Sequence, residues 1–371
     1  MGVIMYWLIV AAVTILGRIM PQHGRKRIYY IVCMAVFHAL VSGFRFEHLT
    51  GDLMKYQWNY VDYQNYEYLS EHLLNEGINT GFFWFSKFIS TLSNGDFQVF
   101  LMVVAIIIEV AVAVVVYKYS PLPWISYLVW NCIGFYIFGF SALKQSLAMA
   151  FVMLAMDAVL ESRLRRFLVL TLIAGYVHFP AFAFLPAYWI AKARIKPLTV
   201  VCYVIAALTI LAFQGPIVRF VTDIYYEDGE MMLADSAALG GRFFMMVVIL
   251  SMGICLKGFA DSRFEKTFNL MVVAAIFQMF SGYDNIFTRF ADYYFQISIL
   301  YLPVMVSSPA VDNRLGGSHS KAVFRFNRRS LDAIAVCMAV YLLWYYNRTC
   351  LSASVASVDN YLNYRSMWYG K

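Results

Sequence analysis

FSALKQSLAMAFVMLAMDAVLESRLRRFLVLTLIAGYVHFPAFAFLPAYW, residues Phe140–Trp189, sets two apolar blocks around a basic knot of Arg163, Arg165 and Arg166. Lys144 and Gln145 open the first block, and His178 lies inside the second, beside Phe179 and Pro180. The second block, Phe167–Ile190, is long enough for one membrane span. It also reads as two short helices meeting at His178-Phe179-Pro180, because a residue before proline avoids the helical region. Each half would hold about 11 residues and rise roughly 16 Å, about half the hydrocarbon core. Which reading holds fixes the direction of every later segment.

Charge decides between them. Folding the block back on itself puts 19 of the 29 Lys and Arg residues in loops on one side of the membrane. A single span would invert every later loop and send most of those basic residues to the other side. Basic loops stay on the cytoplasmic side, so the half-depth hairpin at about 167–190 is preferred.

Composition agrees with a membrane protein. The chain is 61% hydrophobic and 14% charged, with mean hydropathy +0.64, whereas soluble domains carry about 25% charged residues. Apolar runs of roughly 17–22 residues recur along it, and only helices and closed barrels can satisfy their backbone in lipid. The expectation is an all-α, polytopic membrane protein of about 11–12 transmembrane helices, the broken hairpin included. The net charge of +7 then speaks of topology, not of nucleic acid. The six cysteines are scattered and form no CxxC pair, so neither a disulfide framework nor a zinc site is expected. Val3–Leu16 lacks a basic region before it and a cleavage site after it, and reads as the first membrane helix.

Taken in order, helices are expected at Val3–Leu16, Ile28–Phe44, Phe97–Val116, Trp124–Phe140 and Leu143–Arg163, followed by the hairpin. After it come Leu198–Phe213, Phe243–Leu256, Phe268–Gly282, Phe287–Val306 and Leu331–Tyr346. Residues 1–371 form one transmembrane domain, with extracytoplasmic loops at 46–96 and 214–242. The first loop holds seven acids, two lysines and many aromatics; Asp62–Asn75 has helical spacing, and Phe82–Leu92 reads as an interfacial helix.

This topology brings several ionisable groups to the outer level: Arg45, Asp52, Lys144, His178, Arg242, Arg289 and Asp292. Ionisable residues at membrane depth are costly and mark functional sites by default. Arg and Lys bind phosphate oxygens, Arg by bidentate hydrogen bonds. An anionic lipid headgroup or pyrophosphate is the ligand such a cluster fits. Blander readings stay open. Arg242 alone could snorkel to headgroups, Arg289 and Asp292 could pair with each other, His178 could be a satisfied core histidine, and the tyrosines could be an interface belt. Glu109, inside the third helix, could pair with a polar neighbour, and the sequence assigns it no role. No P-loop, GxSxG, HExxH or DxD motif is present.

Four stretches carry a resemblance. GFRFEHLTGDLMKY (Gly43–Tyr56), SALKQSLAMAFVMLA (Ser141–Ala155), IAGYVHFPAFAFLPAYW (Ile173–Trp189) and RFADYYF (Arg289–Phe295) resemble the EpsG family of the Wzy-type polysaccharide polymerases. Lys144 stands where the family pattern has arginine before glutamine, and Thr50-Gly51-Asp52 follows Arg45 at a longer gap than in the pattern. The resemblance implies a Wzy-like, GT-C-like fold and a glycosyltransferase of the bacterial cytoplasmic membrane. Such an enzyme joins polyprenyl-pyrophosphate-linked oligosaccharide units on the outer face, in exopolysaccharide, capsule or O-antigen synthesis. Its implied catalytic residues are Asp52, His178 and Arg289; Arg45, Tyr56, Lys144, Gln145, Arg242, Asp292 and Tyr293 would bind substrate. No cofactor or metal is implied, and the partners are membrane lipids, a flippase and a chain-length regulator, with no nucleic acid. An O-antigen-ligase-like enzyme would share the donor. A transporter of lipid-linked sugars would use the same cations but should show an internal repeat, and a membrane acyltransferase would depend on a histidine in place of arginines.

Overall fold

In a computed structural model, the description covers residues 2–45, 51–63, 80–194, 240–257 and 262–307, with isolated residues in 202–216 and 337–345. Helices α1 (Gly2–Ile19) and α2 (Arg27–Gly43) come first, then α3 (Gly51–Asp62) and α4 (Thr80–Leu92). The long α5 (Phe97–Tyr119) starts where the Asp96 side chain accepts from the backbone N–H groups of Gln98 and Val99 at 2.8 and 3.3 Å, an N-cap that satisfies two otherwise orphaned donors. Its 23 residues rise about 35 Å, more than a hydrocarbon core requires. α6 (Pro123–Cys132), α7 (Phe135–Phe138), α8 (Leu143–Leu160) and α9 (Leu164–Val177) follow. A 3-10 turn (Phe179–Phe184) and α10 (Ala187–Lys192) lead on to α11 (Gly241–Lys257), α12 (Ser262–Met279), α13 (Asn285–Phe295) and α14 (Ser298–Val306). Most of the Asp62–Asn75 and Leu198–Phe213 segments, the acidic stretch before Gly240, the basic loop after Ser307 and most of Leu331–Tyr346 lie outside the described residues.

α5 and α8 are long and apolar enough to cross a membrane, and α1, α2 and α11 are apolar but shorter. Apolar side chains also lie on outer faces of the helices. α2 exposes Tyr29, Val32, Val36 and Leu40, and α9 exposes Val169, Leu172, Ile173 and Tyr176, each set at helical spacing. A helix that is apolar all round belongs in a large core or in lipid, and continuous apolar stripes on an outer surface need an apolar surrounding. The all-helical architecture is that of a membrane protein.

The block that decides the topology folds back. Phe167 on α9 packs against Phe184 and Tyr188, with ring centroids 6.0 and 5.4 Å apart. The Tyr188 hydroxyl donates to the Ser162 carbonyl at 2.8 Å, so the chain returns to the level at which α9 began. Gly175 makes the close approach possible, since a Cβ there would lie 2.4 Å from the Phe182 ring. The break falls at His178, in extended conformation, one residue earlier than the proline rule suggests. Phe179 and Pro180 instead open the 3-10 turn, where the missing proline N–H costs nothing.

Two segments expected as single helices are interrupted. Trp124–Phe140 splits at Gly134, whose φ of 95° ends α6 in the left-handed conformation that glycine adopts without penalty. Phe287–Val306 splits at Gln296-Ile297 into α13 and α14. Inside α14, Pro303 lacks the N–H that would bond the Ile299 carbonyl. That carbonyl accepts the Ser126 hydroxyl at 2.6 Å instead, which ties α14 to α6.

The helices define two ends of the bundle. At one, Gln98 of α5 donates to the Gly43 carbonyl that closes α2. At the other, Lys118 closes α5 and pairs with Asp157 of α8 at 2.8 Å and Glu161 at 3.1 Å. Asp157 is fully buried and also takes Arg166 at 3.0 Å and the Tyr119 hydroxyl at 2.6 Å. Lys266 of α12 reaches the Leu160 carbonyl at 2.9 Å at the same end.

Candidate functional site

At the Gly43 end, α8 begins with Leu143-Lys144-Gln145, and α9, α11 and α13 bring polar groups beside it. Asp292 of α13 accepts from the Gln145 amide at 3.1 Å and pairs with the Arg242 guanidinium. Arg242 lies in the first turn of α11, over the Phe295 ring at 5.1 Å. Both partners are largely covered, with side-chain exposures of 20% and 8%. The ion pair described for Asp292 thus runs to Arg242 across 50 residues, not to Arg289 three residues away, although the Arg289 charge also acts on it.

The second cluster surrounds the tip of the hairpin. Nδ1 of His178 and the Tyr293 hydroxyl are 2.6 Å apart, and both side chains are buried. Lys144 and Arg289 are the cations whose charge reaches His178, and both remain half-buried. Asp292 and Tyr293 are neighbours on α13, so the two clusters are joined through one helical turn. The α13 backbone is placed by Asp284, which caps it at the Ile286 N–H.

Aromatic side chains close one flank. Lys144 Nζ stands 5.6 Å from the centre of the Phe82 ring of α4, and Phe82 lies 5.5 Å from Tyr56 of α3. Arg45 occupies a different niche. It is 1% exposed, its Nε donates to the Phe140 carbonyl at 3.1 Å, and its Nη1 donates to the Ser42 carbonyl and hydroxyl. It sits over the Phe140 ring at 5.5 Å, braced against the turn just before α8. Asp52 is exposed in the first turn of α3, and no described residue pairs with it.

Of the ten residues expected at the site, eight are thus connected: Tyr56, Lys144, Gln145, His178, Arg242, Arg289, Asp292 and Tyr293. Arg45 braces the turn beside them, and Asp52 stands apart. Phe82 and Phe295, which form the faces under Lys144 and Arg242, were not singled out by the sequence. Their signal was only their presence in aromatic runs.

The family model described as the EpsG family matches residues 28–315, well over half of the chain. The chain belongs to the EpsG family. No curated protein and no solved structure matches it. All four stretches that carried the resemblance lie within the matched residues. EpsG membership and the apolar helices make this an exopolysaccharide-associated membrane protein.

Proposed function

We propose that the protein is a polysaccharide polymerase. It joins oligosaccharide units carried on polyprenyl pyrophosphate by glycosyl transfer, with the Gly43 end facing outside the bacterial cytoplasmic membrane. The polytopic Wzy-like, GT-C-like reading, with about 11–12 spans, belongs to the same proposal. What supports it is that α8 at Lys144-Gln145 and the hairpin tip at His178 both meet the Asp292-Tyr293 pair of α13, at one end of an EpsG-family chain.

In the proposed reaction, an acceptor sugar hydroxyl bonds to the anomeric carbon of the donor chain. The bond from that carbon to the pyrophosphate oxygen breaks, and its electron pair leaves with the lipid pyrophosphate. Lys144 and Arg289 offset the charge that gathers on the leaving group, the kind of preorganised electrostatic help that contributes most to many enzymes. The hydroxyl proton goes to His178. With Nδ1–H donating to the Tyr293 oxygen, Nε2 carries the lone pair that accepts it. Arg242, Asp292 and Gln145 fix the relative positions of α11, α13 and α8, and Tyr56 and Phe82 offer ring faces to sugars. A flippase would supply the donor and a chain-length regulator would act on the product.

The test is expression in a host lacking its own polymerase, followed by glycan sizing. Long chains in the host carrying the protein are the expected result. Single repeat units on the lipid, with the protein well expressed, would refute it.

A further inference from the structure

Glu109 lies in the middle of α5, 2% exposed, and takes no part in the site above. Its Oε1 accepts from the Trp130 indole N–H at 3.2 Å. Its Oε2 is buried, with no hydrogen-bond partner among the described residues, and the same holds for Ser146 Oγ on α8. Both residues line one cavity of about 10 Å³, together with Ser42, Trp130, Tyr136 and Met149. That is room for a single water, provided polar partners meet it.

Among the described residues, none supplies a counter-charge to Glu109. Tyr127 of α6 donates its hydroxyl to the Ile31 carbonyl and Tyr136 donates to the His38 carbonyl, so neither phenolic proton turns to Glu109. His38 of α2 is engaged by the Met34 carbonyl and by Asn131. Arg45, just past the end of α2, donates to the Phe140 carbonyl and to Ser42. Among the described residues, the Glu109 carboxyl feels burial and the Trp130 N–H, and no cation acts on it. An ionised carboxylate so placed would be costly, and a neutral carboxylic acid needs an acceptor for its O–H.

We propose that Glu109 is a proton-binding site in the core of the bundle: Oε2 carries a proton and donates it to one water that also hydrogen-bonds Ser146 Oγ. Trp130 fixes which oxygen is protonated, because its N–H occupies Oε1 as an acceptor. The water joins α5 to α8 through a hydrogen-bonded link that the side chains alone do not make.

The test is infrared difference spectroscopy of the full-length protein in lipid nanodiscs at neutral pH, wild type against Glu109→Gln, in potassium and in sodium buffers. The expected result is a carboxylic-acid C=O band that is lost in Glu109→Gln, moves in heavy water and is the same in both salts. Loss of a carboxylate band instead would overturn the proposal. An acid band that vanishes when sodium replaces potassium would also overturn it and assign the cavity to a sodium ion. Should Glu109→Gln fail to fold, Ser146→Val serves: filling the cavity should shift the acid band upward by removing the water. An unchanged band would refute the bound water.

Discussion

The Arg242–Asp292 pair invites a double-mutant cycle. Asp292→Asn keeps an oxygen for the Gln145 amide but removes the charge, leaving the Arg242 cation four-fifths covered without its counter-ion. Arg242→Met keeps the bulk over Phe295 but leaves a buried carboxylate compensated mainly by Gln145. Breaking a fully buried pair costs about 3–5 kcal/mol, whereas an exposed pair contributes about 1 kcal/mol or less. With exposures of 20% and 8%, the pair lies nearer the buried limit. Each single change should therefore cost about 2–3 kcal/mol. The double variant leaves neither charge stranded and should cost only about 1–2 kcal/mol, so the coupling is about 3 kcal/mol. Equilibrium unfolding in mixed micelles, followed by circular dichroism, measures all four corners. Single effects that add to the double within about 0.5 kcal/mol would show that the two residues are independent and that α11 is not pinned to α13 through them.

Four further outcomes are expected. Gly175→Leu forces side-chain atoms into the Phe182 ring, and should cost about 3 kcal/mol or abolish folding; pairing it with Phe182→Ala should recover monodisperse protein on size-exclusion chromatography, and no recovery would contradict the close approach. Asp157→Asn removes the carboxylate shared by Lys118, Arg166 and Tyr119; because both cations are more than one-third exposed and can rehydrate, the loss should be about 1–2 kcal/mol, read as a lowered unfolding midpoint. Lys144→Ala should stop chain growth in the glycan-sizing assay while Lys144→Arg sustains it, and wild-type chain length in Lys144→Ala would remove the lysine from the site. His178→Ala should lower the rate of chain growth by about 10²–10⁴-fold, the usual worth of a general base, with Tyr293→Phe intermediate; equal folded yields in all three proteins separate this from a loss of structure.

The helical, membrane-protein character was legible because hydropathy acts over whole segments. The hairpin at Phe167–Ile190 was inferred from the sidedness of loops far from it, and the Tyr188–Ser162 bond shows the return directly. The interruptions were not legible. Gly134 and Gln296-Ile297 lie inside runs whose composition suits an unbroken helix, and only the packing of α6 against α14 reveals them. The candidate site residues were singled out by their cost at membrane depth, which needs no knowledge of partners. Partners were not legible where proximity in sequence competed with proximity in space: Asp292 has Arg289 three residues away, yet its described ion pair comes from α11. Arg45 was read as a ligand for phosphate from its place at a helix end, and the sequence carried no sign that its Nε and Nη1 also bond Phe140 and Ser42. The cavity at Glu109 was invisible for the same reason, since Ser146 and Trp130 carry no mark as its neighbours.

α8 is the member fastened at both extremities. Gln145 holds it to Asp292 at one end, and Asp157 anchors it to Lys118 and Arg166 at the other, some 20 Å away along the axis. A rod held at two points separated by that length can neither slide nor tip without stretching one set of bonds. Lys144 therefore has its height in the membrane set by contacts made on the far side of the bundle. In mechanical terms α8 is a stator, and any movement of the helices around it takes place against a fixed rod.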